Sequence, residues 1–410
     1  MNRFRTGLWY MILGAAFFWG CAGDGPGRDS FTVRDSAGIH IAENTAPAWG
    51  EDDGWHLSDQ PLVDIGGLEG DPDYELYRVS NAVRLPDGRI VVGNRGTNEI
   101  RFYDESGIHL LDAGGEGEGP GEFRWIDWVS QYRGDSLVAY DRRQMRISVF
   151  DSAGRFVRTF TVPGMDVSGR GRALGVFADG SVFVAAMSST PPDNEDEAFR
   201  QAEPVYSVSP EGEFTDSLCA YPGTERFLHS AGGSGGTSMV FIGYPMFGRS
   251  TEYGIHGNSF YVASNDTYEV RVHGQDSVPQ SIVRKQHDHL DVTDADIAVL
   301  REEQLDGGPP GMRDAMVGVL DATPIRETMP AYRGIMLDRI GNLWVEEYRR
   351  PGDTVPRWTV FSAEGELLGT MSMPEHFVIR DIGDDYLLGT WTDDLEIEHV
   401  RMYELIKGRG

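Results

Sequence analysis

The densest set of potential metal ligands in the chain is His287-Asp288-His289 followed by Asp291. On an extended segment alternate residues share a face, so both imidazoles would point the same way, as an N-ligand metal site needs. Histidines beside carboxylates more often make a polar loop; His287, His289 and Asp291 are carried forward as metal-ligand candidates. Gly232-Gly233-Ser234-Gly235-Gly236 contains the G-x-S-x-G string of serine hydrolases. That string works on a strand-to-helix elbow that strains the serine. Between Ser230 and Thr237, in a β-rich stretch, it reads as a linker. The spaced glycines of Gly114–Gly121 could cradle a phosphate, but Glu116, Glu118 and Glu122 would repel it, and a strand follows rather than a helix N-terminus. Cys219 reads as a small apolar strand residue. No catalytic residue is assigned and no cofactor is required. Five more polar residues, Asn81, Asp127, Glu252, Arg333 and Arg380, gain meaning only from the elements that carry them.

Those elements repeat. One Gly/Asp turn recurs as Pro86-Asp87-Gly88, Arg133-Gly134-Asp135, Ala178-Asp179-Gly180, His256-Gly257-Asn258, Ile340-Gly341-Asn342 and Ile382-Gly383-Asp384, each followed by an apolar strand. A second turn, such as Asp104-Glu105-Ser106-Gly107 or Asp151-Ser152-Ala153-Gly154, closes the next strand in the first five copies. Gly88, Gly134 and Gly180 follow one another at intervals of 46 residues. A period of forty-odd residues with four short strands is one propeller blade. The six copies predict an all-β, six-bladed β-propeller. The last copy has room for three strands, and Pro61–Gly66 is predicted to supply its fourth from the N-terminal side, closing an exposed edge. Gly38–Asn44 could add a peripheral strand.

The pattern resembles NHL-type six-bladed propellers, including bacterial lipoproteins of that architecture. The residues carrying it are Gly114 to Phe123, Arg146-Ile147-Ser148-Val149-Phe150-Asp151 and Tyr268-Glu269-Val270-Arg271-Val272, and it covers about residues 60 to 407. The family is functionally mixed, so the resemblance implies a shape rather than an activity.

In such a propeller the inner strands would bring Asn81, Asp127, Glu252, Arg333 and Arg380 to the mouth of the central channel. Carboxylates and an amide could hold Ca²⁺ through oxygen. The two arginines oppose a cation and suit an anionic ligand or a partner's carboxylate. Both Gly turns of each blade fall on one face. The long segments 186–204, 221–251, 286–331 and 348–356 fall on the other. Thr293-Asp294-Ala295-Asp296 opens a helix there as an N-cap with an acidic first turn, Gly307-Gly308-Pro309-Pro310 ends it, and Met312–Leu320 could form a second, giving a helical insertion over about 291–321. It would either cover the channel or bury the flank of the fourth and fifth blades. Elaborated loops on one side suggest a functional face. The reading from sequence is a non-catalytic binding or scaffold module for a protein, peptide or glycan, and a chain that is not an enzyme. The competing reading is a metal-dependent lactonase or hydrolase with its site in the channel.

The N-terminus reads as an address. Arg3 and Arg5 precede an apolar run from Leu8 to Trp19. As a helix that run reaches about 18 Å, short of the roughly 30 Å of a bilayer core. Residues 1–20 therefore read as an export signal. Phe18-Trp19-Gly20-Cys21 resembles a bacterial lipobox, which implies acylation of Cys21, and residues 21–30 look like a tether to a domain spanning 31–410. The expected location is the cell envelope, at the outer membrane or the periplasmic face of the inner one, with the lipid anchor as the only membrane contact. Charge agrees: 65 acidic against 36 basic residues give a net −29, which repels phosphate backbones and excludes nucleic-acid partners.

Overall fold

The computed structural model describes residues 30–50, 53–67, 70–163, 170–187, 197–232, 238–308, 311 and 313–408. Cys21, the export segment, most of the tether and the serine of the G-x-S-x-G string lie outside the described residues. None of the described helices is long and apolar enough to cross a membrane.

Six antiparallel sheets form the blades. From inner to outer strand, the first is Val79–Arg84, Ile90–Asn94, Glu99–Tyr103 and His109–Gly114. The second is Ile126–Gln131, Leu137–Asp141, Arg146–Phe150 and Phe156–Thr161. The third is Arg170–Val176, Val182–Met187, Ala202–Val208 and Phe214–Pro222. Thr251–His256, Ser259–Ser264, Glu269–Gly274 and Pro279–Lys285 make the fourth. Tyr332–Leu337, Leu343–Glu347, Arg357–Phe361 and Leu367–Ser372 make the fifth. Phe377–Ile382, Tyr386–Thr392 and Glu398–Ile406 begin the sixth. As the sequence predicts, its fourth strand is N-terminal: Val63–Ile65 pairs antiparallel with Glu398–Ile406, Ile65 opposite Val400.

The N-terminal segment does more than close the ring. Ile39–Asn44 runs parallel to the outer strand of the fourth blade and carries Phe31–Ser36 on its far side. The chain then crosses the fifth blade, where Ala48 and Trp49 donate backbone N–H to Leu367 and Leu368 at 2.9 and 2.8 Å. One segment thus covers the outer edges of three consecutive blades. Buried Asn44 pins it, donating to Arg284 and Gly365 carbonyls and accepting from Leu367 N–H.

The core lies between blades. Val83, Leu85 and Phe102 of the first pack against Phe123, Ile126, Leu137 and Phe150 around the second, and similar clusters recur around the ring. Two insertions interrupt the pattern. A hairpin, Phe227–Gly232 with Ser238–Gly243, separates the third and fourth blades. Two helices, α1 (Asp294–Asp306) and α2 (Arg313–Ala322), separate the fourth and fifth. Thr293 caps α1 in a reciprocal box, its Oγ1 accepting from Asp296 N–H while Asp296 accepts from Thr293 N–H. Ile297, Leu300, Leu305 and Leu320 then pack on Met246, Phe247 and Met329, so the helices bury the connection from the fourth blade to the fifth.

Candidate functional site

The inner strands are not regular at their heads. Pairing skips one residue at Asp127, at Arg333 and at Arg380, leaving each on a β-bulge. A bulge frees a side chain from the ladder and re-aims it, a device common beside functional sites. Three of the five residues picked from sequence therefore owe their direction to these bulges.

Their surroundings are polar and charged. Asn81 Nδ2 donates to Val129 O at 2.9 Å, bridging the first and second blades. Asp127 pairs with Arg95 at 3.7 Å and Arg333 with Glu346 at 3.3 Å. Burial lowers the pKa of Arg380, which feels Glu398 and Arg95. Glu252 carries a carboxyl pushed above its ordinary value by burial, opposed by Ser250, Arg172 and Arg333 and aided by the like charge of Glu203.

Residues not singled out in the sequence complete the site. Arg142, Arg172, Glu203 and Arg226 line an open cavity of about 170 Å³ together with Phe199 and Tyr244. Burial raises the Glu203 carboxyl too, against the pull of Arg172 and Arg226. Arg142 is held by its neighbour: the buried Asp141 carboxylate accepts backbone N–H from Arg124, Trp125, Arg143 and Gln144, at 2.6 to 3.2 Å. That fixes the turn presenting Arg142 and Arg143. Arg226 is placed by reciprocal backbone bonds with Phe199. Two half-buried carboxyls, both raised above the ordinary carboxyl value and both felt by Arg172, are candidates for a general acid and base.

The histidine candidates do not converge. The rings of His287 and His289 meet edge to face, with centroids 5.6 Å apart, and His287 packs on Tyr268. Burial lowers the pKa of His287. Asp291 bridges to Thr328 instead. Among the described residues the ligand set able to hold a cation is Asp73, His109 and Asp112. His109 sits between the carboxylates, 3.3 Å from Asp73 and 2.8 Å from Asp112. His109 and Asp112 belong to the outermost strand of the first blade, so this set lies on the rim. Asp73 is remote in sequence from His109 and Asp112, which is why no local spacing announces the set. Cys219 is half-buried, and burial raises its thiol pKa, which suits the apolar role expected of it.

No family model and no curated protein matches the chain. Among solved structures, a Bacteroides fragilis protein described as exported aligns at 12% identity and TM-score 0.51, covering 90% of this chain and 100% of its own. A DUF4221 family member from Bacteroides vulgatus aligns at 12% identity and TM-score 0.50, covering 87% and 99%. A Xanthomonas campestris gluconolactonase aligns at 13% identity and TM-score 0.40, covering 86% and 97%. The first two likenesses show the fold alone, and the third adds no argument to them.

The expectation of a non-catalytic module, and of a chain that is not an enzyme, is corrected here. A carboxylate–imidazole–carboxylate set able to hold a divalent cation, with Glu203 in the wall of a polar cavity and two carboxyls raised by burial and both felt by Arg172, is equipment for chemistry. The competing catalytic reading fits these groups better.

Proposed function

We propose that the protein is an envelope hydrolase of lactones or esters, working at the loop-rich mouth of its channel by acid–base catalysis. The observation that carries this is the Glu203–Glu252 pair, both raised by burial, with Arg172 acting on both. The charge of Glu203 adds to the rise at Glu252, and like charges that interact lose their protons in separate steps, so that one carboxyl can hold a proton while the other is ionised. The ionised member takes a proton from water as its oxygen adds to the carbonyl. The protonated member gives its proton to the leaving alkoxide, and the products are a carboxylic acid and an alcohol. Arg172 supplies positive charge where the oxyanion develops.

A divalent cation, Ca²⁺ included, belongs in this reading to Asp73, His109 and Asp112. Two carboxylates suit Ca²⁺, and the imidazole widens the choice to first-row ions. Arginines around the channel weigh against a cation there. The same proposal takes the chain as an NHL-type lipoprotein, exported by residues 1–20, acylated at Cys21 and held in the cell envelope by the tether over 21–30; the Leu8–Trp19 run and Gly20-Cys21 support this. Its partner is a small molecule, and nucleic acid stays excluded by the charge of −29.

The test is turnover of δ-lactones and p-nitrophenyl esters by the wild type, Glu203→Gln and Glu252→Gln, with and without EDTA. Loss of a general acid or base costs on the order of 10²–10⁴ in rate. Each variant should lose at least about a hundredfold, with no change on adding EDTA. Rates equal to wild type in both variants would sink the proposal; loss on EDTA would move the chemistry to a metal.

A further inference from the structure

We propose that the substrate is a small multiply anionic molecule, whose carboxylate or phosphate oxygens sit among Arg142, Arg143, Arg172 and Arg226. This rests on the catalytic reading of the same mouth and names its substrate class. The first cavity opens beside a second of about 440 Å³, and Arg142 and Arg172 line both. Arg226 and Glu203 complete the first, while Arg143, Trp125 and Tyr140 complete the second, which has no described acidic residue in its wall.

The pairing of charges sets these four apart. Other arginines at this mouth are compensated: Arg95 by Asp127, and Arg333 and Arg349 by Glu346. Arg172 and Arg226 act on Glu203 from a distance, and Arg172 on Glu252, but Arg142, Arg143, Arg172 and Arg226 form no close ion pair with a described residue, although acidic residues outnumber basic ones by 65 to 36 in the chain. Among the described residues, four guanidiniums thus line two adjoining cavities without a carboxylate in ion-pair contact, an arrangement suited to an incoming anion. Glu203 is the one acidic residue in the described walls of the two cavities, against Arg142, Arg143, Arg172 and Arg226.

The arginines are also pre-positioned. Trp125 is flanked by Arg95 and Arg143 guanidiniums at 4.9 and 5.0 Å from its ring, and the Asp141 carboxylate fixes the turn between them. Guanidinium forks bind carboxylate or phosphate bidentately, and holding them in place removes part of the ordering cost of binding. Arg172 lines the cleft and also acts on both catalytic carboxyls, so an anion seated there brings the rest of the substrate to Glu203 and Glu252.

The experiment is a melting-temperature titration of the purified protein at neutral pH and constant ionic strength, with tricarballylate and with inorganic phosphate as probes. A ligand of the folded state raises Tm saturably. A shift with tricarballylate alone assigns a polycarboxylate; a shift with phosphate alone assigns a phosphoryl group. Either supports the proposal if Arg172→Gln weakens the shift at least tenfold in apparent Kd while Glu203→Gln keeps it. Arg142→Gln and Arg226→Gln serve if circular dichroism shows Arg172→Gln misfolded. No saturable shift with either probe, or wild-type affinity in Arg142→Gln/Arg172→Gln, overturns the proposal. Binding that survives while Glu203→Gln and Glu252→Gln turn over normally would overturn the catalytic reading alone.

Discussion

Glu203 and Glu252 cost the fold stability in their ionised forms, because burial penalises the charge more than nearby arginines repay. The folded state then binds a proton more tightly than the unfolded chain. Stability contributed by these protons is present at low pH and is lost as pH rises through the folded pKa. Glu203→Gln and Glu252→Gln should therefore melt higher than the wild type near pH 8 while losing activity, the trade expected of groups kept for function. The gain should shrink steadily as pH falls towards the ordinary carboxyl range, about 4.3, where the wild type carries its own proton. Melts of the three proteins across this range check it. A difference independent of pH, or a lower Tm in the variants at pH 8, would show that the carboxylates are structural partners. Glu252 was legible in the sequence because heads of inner strands can be counted along a repeat. Glu203 was not: it lies on a third strand, and the cavity it lines is completed by Phe199 and Arg226, which pair through their backbones across irregular connections.

At the scale of the element, the second turn of each blade explains why a repeat was readable at all. In the second blade Asp151 Oδ1 accepts N–H from Ala153 and Arg155, and Gly154 follows with φ +76° and donates its N–H to Asp151 O. A Cβ on Gly154 would meet Leu111 Cδ1 at 2.8 Å and Phe102 at 3.2 Å, both in the preceding blade. Gly107 repeats the arrangement against Val63 and Ile65, where the first blade meets the N-terminal closing strand. The turn is thus a local motif and an inter-blade contact at once, and chemistry that must serve both recurs at a fixed period. Gly154→Ala should cost about 2–5 kcal/mol, from roughly 1–2 for a left-handed alanine and about 1–3 for overpacking. Urea denaturation measures it; a cost below about 0.5 kcal/mol, ordinary for a neutral surface change, would show that neighbouring blades do not lean on the turn. The N-terminal segment was half legible. Val63–Ile65 alternates as a strand should, whereas the crossing at Ala48-Trp49 joins two backbone bonds to packing of the Trp49 ring over Gly369 and the core beside it, which no local residue pattern announces.

The whole molecule sets a net charge of −29 against a mouth rich in arginine. Like charges spread over a surface repel one another and weaken the compact state, while opposite charges in a cleft attract an anion from a distance. Salt screens both, since the Debye length falls from about 30 Å at 0.01 M to about 3 Å at 1 M. The two effects have opposite signs for what is measured. Raising sodium chloride from about 0.05 to 0.5 M, a range over which exposed charges become largely screened, should raise the Tm of the free protein by relieving repulsion. The same change should weaken tricarballylate or phosphate binding at the mouth and slow the capture of an anionic substrate. A Tm that falls with salt would mean that ion pairs such as Arg339–Asp381 and Arg284–Glu269 outweigh the excess of acid. Net charge was available from composition, but it pointed only to what the surface repels. The cleft that inverts that charge draws on Arg142 and Arg143 from the second blade, Arg172 from the third and Arg226 from the connection to the fourth, and only closure of the ring brings them to one place.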